Sequence, residues 1–429
     1  MLKLPETGKL TICIPLTSYL AALGLALGLT AALAASAAPA GGDFSACIVT
    51  LQTRARAAGI SEPVIDTVLG GAERVDRVIE LDRQQPEFTQ SFADYYNRRV
   101  TEARVARGRE LLDEYRGLLE DIQRRTGVPA HYLVAFWGLE TNFGSYFGNM
   151  PVPDSLATLA CDERRSGFFT EELIAALRIV DAGDIAAERM VGSWAGAMGH
   201  MQFMPSVFMR HAVDADGDNR RDLWNSIPDA MASAANFLNN IGWQTGLRWG
   251  REAQLPEDFD YGLAGRDSTR PLKDWVELGI TDAFGRSLPA LELESSLLVP
   301  SGHDGPAFLV YDNFDVIMRW NRSEFYALSV GRLADEIAGG GPLRQPPPAD
   351  GLRIARDDVR WLQNSLARLG YDPGEPDGIF GPATRRALSR FQQQHDKVAD
   401  GYLDGEALEA VRRAMTESAT SDEPPIDPS

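Results

Sequence analysis

Histidine and cysteine are scarce in this 429-residue chain, with five and three respectively, and neither type is arranged as a CxxC pair or at metal-ligand spacing. That scarcity leaves a zinc-activated water or a cysteine nucleophile without support. Net basic charge is missing too: 42 Lys and Arg face 61 Asp and Glu, for a net charge of -19. A partner held mainly by counterion release, such as nucleic acid or an anionic bilayer surface, is therefore excluded, and an anionic ligand would need a local site. Beyond the first 40 residues there is no apolar run of membrane-spanning length. What remains is an ordinary globular composition, 44% hydrophobic and 24% charged, long enough for two or three domains.

The N-terminus differs from the rest. Lys3 and Lys9 precede residues 10–35, which are apolar apart from Thr and Ser, and Ala35-Ser36-Ala37 or Ala38-Pro39-Ala40 offers a small-residue cleavage signal. This pattern predicts a signal peptide over residues 1–40, export to the periplasm, and no stable membrane insertion after cleavage; an uncleaved inner-membrane anchor is the alternative. Cys13 falls inside that segment. Cys47 and Cys161 are left as an even pair in an oxidising compartment, able either to bridge or to stay as two buried thiols.

Helical periodicity dominates residues 43–338, as in 110–125 and 171–181, where Leu and Ile recur every three or four positions. The exception is residues 291–320, where Ser296-Leu297-Leu298-Val299-Pro300 and Ala307-Phe308-Leu309-Val310-Tyr311 flank a Gly- and Asp-containing turn and predict a small β hairpin or sheet. Gly339-Gly340-Gly341-Pro342 and Pro346-Pro347-Pro348 mark a linker over 339–351. Residues 352–414 carry an internal echo: Asp377-Gly378 and a helix ending in Ala387-Leu388 are repeated as Asp400-Gly401 and a helix ending in Ala410-Val411. Three short helices on one core are expected there, followed by a disordered Ser-, Asp- and Pro-rich tail over 415–429.

Two segments carry candidate chemistry. Pro129 and Gly144 bracket a helix in which Leu133, Phe136, Trp137 and Glu140 share one face. A carboxyl on an apolar stripe near a helix C-terminus is desolvated and meets the negative end of the dipole, and both raise its pKa. A raised carboxyl pKa suits a general acid; the plainer reading is a Glu buried against Arg164 or Arg165. The second segment, residues 193–205, is rich in Gly, Ala and Met, so its backbone can approach a ligand while Ser193 and Gln202 offer hydrogen bonds; equally, it could simply let two helices touch.

Gly138-Leu139-Glu140-Thr141 with Phe143-Gly144, then residues 193–205, then Arg319-Trp320-Asn321-Arg322-Ser323-Glu324-Phe325-Tyr326-Ala327 resemble the three signature blocks of the lytic murein transglycosylase B family. Residues 352–414, with Asp377-Gly378-Ile379-Phe380-Gly381-Pro382-Ala383-Thr384, resemble the peptidoglycan-binding module of wall hydrolases. The resemblance implies a mainly α fold: a lysozyme-like helical catalytic domain with a small β element, and a three-helix wall-binding domain. It further implies cleavage of peptidoglycan glycan strands by a monomer, with Glu140 as the only catalytic carboxylate, no required cofactor, and a 1,6-anhydro product. Ser193, Gln202, Asn321 and Tyr326 match residues that line the sugar groove. His200-Met201 stands where the family often has Tyr-Gly, Phe237 where some members have Tyr, and Trp320 where Tyr is common; subsite preference is what these departures touch. A hydrolytic muramidase with a second acid, or a wall-binding scaffold without turnover, are the rival readings.

One acidic loop stands apart. Asp214, Asp216, Asp218 and Asp222 occupy the first, third, fifth and ninth positions of a calcium loop, but Asn219 replaces the turn glycine and Asn225 the bidentate Glu. Asp229 is a substitute ligand from further along. The alternative is an ion-free turn satisfied by Arg220, Arg221 and backbone.

Overall fold

The computed structural model describes residues 44–84, 90–348 and 354–421. The expected signal segment, the end of the linker and the last eight residues lie outside this range. Among the described residues no helix is long and apolar enough to cross a membrane.

The helix Ala130–Thr141 forms the centre of the catalytic body, buried on nearly every side. Its sequence is almost wholly apolar because it packs against several partners at once, chiefly the helices Glu324–Ile337, Glu102–Glu114 and Arg116–Thr126. Pro129, extended at φ -65°, starts it. The helix ends at Thr141, earlier than Gly144 suggested, because Asn142 (φ 49°), Phe143 (φ 60°) and Gly144 (φ 78°) all adopt left-handed backbone. Two non-glycine residues in succession in that region store strain directly beside Glu140.

The helices Val152–Ala160 and Ser166–Asp181 form a second layer. Cys161, at the C-cap of the first, is joined to Cys47 on the N-terminal helix Phe44–Ala57, with Cα atoms 5.9 Å apart. Of the two alternatives for this cysteine pair, the bridge is the one formed.

Of the two alternatives for the β element, a hairpin or a sheet, the sheet is the one formed. Five antiparallel strands lie in the order Arg270–Pro271, Glu294–Leu298, Ala307–Val310, Gly250–Gln254, Thr281–Asp282. The second and third of these strands are the predicted ones, paired Leu297 to Leu309 and Leu298 to Phe308. Period-two alternation explains why Leu297-Leu298 and Ala307–Val310 are apolar without a break: Leu298, Phe308 and Val310 enter the helical core, whereas Leu297 and Leu309 enter a separate core with Trp275, Leu272 and Phe259. The added strands are short and polar, which is why periodicity does not reveal them. Gly331 lets the Glu324–Ile337 helix reach the neighbouring Trp249; a Cβ there would lie 2.2 Å from the indole ring.

The described part of the expected linker is not a free spacer. Glu252 accepts the backbone N–H of Arg344 at 3.0 Å and of Gln345 at 2.8 Å, Arg332 donates to Gly341 O at 2.8 Å, and Leu343 is buried. The C-terminal module consists of the helices Arg356–Arg368, Pro382–Gln394 and Gly405–Ser421 around Leu362, Leu366, Leu388, Phe391 and Val411. Its last helix runs on into the stretch expected as tail, helped by Met415 packing on this core.

Candidate active site

Glu140 lies in the last turn of the central helix, one residue before its end. Neither Arg164 nor Arg165 reaches it; both pair with the buried Asp82, Arg164 at 2.7 Å. The plainer reading of a structural ion pair therefore does not hold. Instead, Trp320 Nε1 donates to Glu140 Oε1 at 2.8 Å and the Tyr326 hydroxyl donates to the same oxygen. Trp320 is held in turn by a cluster of rings, with centroids 4.4 Å from Phe136, 5.1 Å from Phe237 and 5.4 Å from Phe203. Burial among these groups is the largest influence on the carboxyl and raises its pKa to about 7, against the opposing pull of the two hydrogen bonds and of Arg99. Among the described residues no second carboxylate is a hydrogen-bond or electrostatic partner of Glu140.

The strained turn after the helix is locked to the second sequence block. Thr141 Oγ1 donates to His200 O at 2.9 Å and accepts Gly144 N at 3.0 Å, and Trp137 Nε1 donates to His200 Nδ1 at 2.9 Å. Burial pushes His200 down to about 4, so at neutral pH it remains an uncharged acceptor for the indole. Gly144 is required at this contact: its φ is +78°, and a Cβ would meet His200 Cε1 at 2.4 Å.

The sequence-predicted groove residues have different roles in this arrangement. Gln202 Nε2 donates to Phe147 O and Gly199 O, both at 3.1 Å, and among the described residues its carbonyl oxygen remains an open acceptor. Ser193 Oγ accepts Ala197 N at 3.0 Å within a tight turn, and its own proton stays available. Asn321 is exposed immediately after Trp320, its carbonyl oxygen accepting Ser323 N at 3.2 Å. Tyr326 is buried, and its hydroxyl meets Glu140 rather than open groove. In sequence Trp320 stands out only as a departure from the family pattern; its contact with Glu140 spans 180 residues, beyond the reach of any local signal.

Residues 43–335 match the Transglycosylase SLT domain family, and residues 355–411 match a peptidoglycan-binding domain family. The chain belongs to the transglycosylase SLT family. Membrane-bound lytic murein transglycosylase B of Escherichia coli (strain K12) is 28% identical over 295 residues, covering 65% of this chain and 79% of that protein. The crystal structure of SltB3 from Pseudomonas aeruginosa in complex with NAG-anhNAM-pentapeptide aligns with a TM-score of 0.84 at 42% identity, covering 87% of this chain and all of that one. Slt35 of Escherichia coli in complex with calcium aligns with a TM-score of 0.61 at 28% identity, covering 70% and 95% of the two chains. The protein is a peptidoglycan lytic transglycosylase with a lysozyme-like catalytic fold and a C-terminal peptidoglycan-binding module.

The two donors to Glu140 make a testable contribution to this transglycosylase. Both stabilise the carboxylate form, so removing one raises the pKa of the acid. Trp320→Phe is expected to move the alkaline fall in kcat/KM upward by about one to two pH units, given that a hydrogen bond to a charged group is worth roughly 1.5–3 kcal/mol. A pH profile unchanged by the substitution would remove Trp320 from this role.

Proposed function

We propose that Glu140 acts alone, first as acid and then as base. Protonated near neutral pH, it gives its proton to the oxygen linking N-acetylmuramic acid to N-acetylglucosamine; ionised, it then takes the proton of the muramoyl 6-hydroxyl, which closes on the anomeric carbon to give the 1,6-anhydro end. The observation that carries this reading is a solitary, burial-raised carboxyl. Retaining and inverting hydrolases place a second carboxylate roughly 5–9.5 Å away to bind the sugar covalently or activate water, and an intramolecular nucleophile needs neither. Ser193, Gln202 and Asn321 serve as hydrogen-bonding residues of the glycan groove, and Tyr326 with Trp320 orients the acid. The enzyme works as a periplasmic monomer after removal of its signal peptide, and no cofactor enters the reaction. Mass spectrometry of digested sacculi tests this: fragments two hydrogens and one oxygen lighter than hydrolysis products are expected, and water-terminated ends alone would establish the muramidase instead.

We propose that the acidic loop holds a calcium ion through Asp214, Asp216 and Asp229, but not through Asp222, whose carboxylate accepts Trp224 N and Asn225 N at 2.9 Å. Asp214, Asp216 and Asp229 bring carboxylate oxygens within 4.8 Å of one another. Asn219 takes the left-handed turn at φ 68°, supplying the conformation usually left to glycine. Arg221 turns away to Asp184 at 2.5 Å, so it does not neutralise the loop. Burial raises the pKa of Asp229 despite three backbone N–H donors, the balance a cation would reverse. The Slt35 structure with calcium supports the same reading. At calcium a hundredfold above its Kd, the unfolding midpoint should rise by several degrees, corresponding to about 2.7 kcal/mol. An unchanged midpoint between calcium and chelator would end this proposal.

A further inference from the structure

The echo in the C-terminal module is a repeat of atomic wiring, not only of sequence. In the first turn Gln363 Nε2 donates to Asp377 Oδ1 at 3.1 Å, Gly378 N to Gln363 Oε1 at 2.9 Å, and Ile379 N to Asp377 Oδ1 at 2.8 Å. In the second, Gln392 Nε2 donates to Asp400 Oδ1 at 3.2 Å, Gly401 N to Gln392 Oε1 at 2.7 Å, and Tyr402 N to Asp400 Oδ1 at 2.9 Å. Each turn thus spends one carboxylate oxygen inward on its own scaffold and presents the other outward.

The second turn shows what the outward oxygen holds. Asp400 Oδ2 accepts the backbone N–H of His303 at 2.9 Å and meets its Nδ1 at 2.7 Å, a segment supplied by the catalytic domain. Gly302, next to it, fits so closely that a Cβ would lie 2.8 Å from Tyr402 Cβ. The turn therefore grips a peptide through a main-chain amide and a nitrogen-bearing side chain, and Asp400 is buried by it. The first turn has the same scaffold, yet Asp377 is exposed and, among the described residues, its Oδ2 has no partner. Ile379, also exposed, provides an apolar shoulder beside it.

We propose that the Asp377 turn is the module's ligand site and takes a peptide, the stem peptide of peptidoglycan, through an amide N–H and an ammonium group as Asp400 takes Gly302–His303. The carboxylate is an acceptor only, so it selects donors; stem peptides carry amide N–H groups and a diamino-acid ammonium. With its sister turn occupied by the catalytic domain, this copy is the one left to face the wall. The assignment rests on the reading that the module binds the wall at all.

The test uses the full chain carrying Glu140→Gln, so that the wall is not consumed, and isolated sacculi, with and without Asp377→Asn. Asparagine keeps an inward oxygen for Gln363 and Ile379 but turns a donor outward. In the presence of excess peptide-free glycan strands, which occupy the catalytic groove, Asp377→Asn is expected to weaken sacculus binding about tenfold. Soluble stem peptide should slow amide exchange across residues 375–381 in the chain that retains Asp377, a readout independent of how the variant folds. Retention abolished by glycan strands alone would mean that glycan and not peptide holds the protein on the wall, and would sink the proposal. Retention that survives them but is equal with and without Asp377→Asn, with no change in exchange at 375–381, would sink only the assignment to this turn.

Discussion

Glu140→Gln is expected to fold, to bind glycan strands, and to cleave them at least 10³-fold more slowly, an effect at the upper end of the roughly 10²–10⁴ range for general acid–base groups. The magnitude follows from solitude: in the proposed mechanism the same carboxyl serves both proton transfers, and among the described residues no carboxylate partners Glu140 that could substitute. Glutamine is nearly isosteric and its carbonyl oxygen can still accept from Trp320 and Tyr326, so the aromatic cluster should hold and the unfolding midpoint should not fall. Removing an ionisable group kept neutral by burial can raise stability instead. Its folded pKa of about 7 lies above the ordinary carboxyl value of 4.5, so the folded state binds more protons than the unfolded one between those values. Stability contributed by the neutral acid is present below pH 4.5 and is lost as pH rises through 7; the amide variant should lack that decline. Cleavage by the unsubstituted enzyme should follow the same group, with kcat/KM falling above about pH 7. Activity of Glu140→Gln within tenfold of the unsubstituted enzyme would move the acid elsewhere.

The position of Glu140 on a buried face was legible because a helix imposes its period on the sequence. Leu133, Phe136, Trp137 and Glu140 fall on one face at fixed spacing, and a carboxyl there must be buried or paired. Which of the two applied could not be read, since it depends on where Arg164 and Arg165 go, and they go to Asp82, far away in sequence. The same limit hid the contacts that Trp320 and Tyr326 make with Glu140. The three-helix module was legible from its repeated Asp-Gly turns, although its docking through Asp400 was not, because docking uses the half of the carboxylate that local wiring leaves over. The linker misled for a related reason. Glycine and proline describe the chain's freedom in isolation, and Glu252, a charged residue on a strand remote in sequence, withdraws that freedom by accepting two consecutive backbone amides.

Replacing Cys47 and Cys161 together by alanine is expected to lower the unfolding midpoint of the catalytic body by roughly 6–10 °C while leaving kcat at 25 °C within about twofold. The bridge closes a sequence separation of 114 residues. In the chain-entropy account a loop of that length restricts the unfolded state by about 4–5 kcal/mol, of which native strain and residual unfolded structure usually return part. The folded state loses something as well. The N-terminal helix Phe44–Ala57 buries only Ile48, Leu51 and Ala55, and the polar contacts nearest it, Ser61 to Asp181 and Arg56 to Glu62, are exposed. Exposed pairs of this kind contribute about 0–1 kcal/mol each. The covalent tie therefore adds a restraint comparable to the burial of Ile48, Leu51 and Ala55, and without it residues 44–57 should open ahead of the rest, visible as accelerated amide exchange there while the Ala130–Thr141 helix stays protected. Because Glu140 is fixed by Trp320, Tyr326 and the central helix, opening of the N-terminal helix does not disturb the acid. Reductant should reproduce the drop in midpoint in the unsubstituted protein and have no effect on the double variant. An unchanged midpoint in both would show that packing alone holds the N-terminal helix in place.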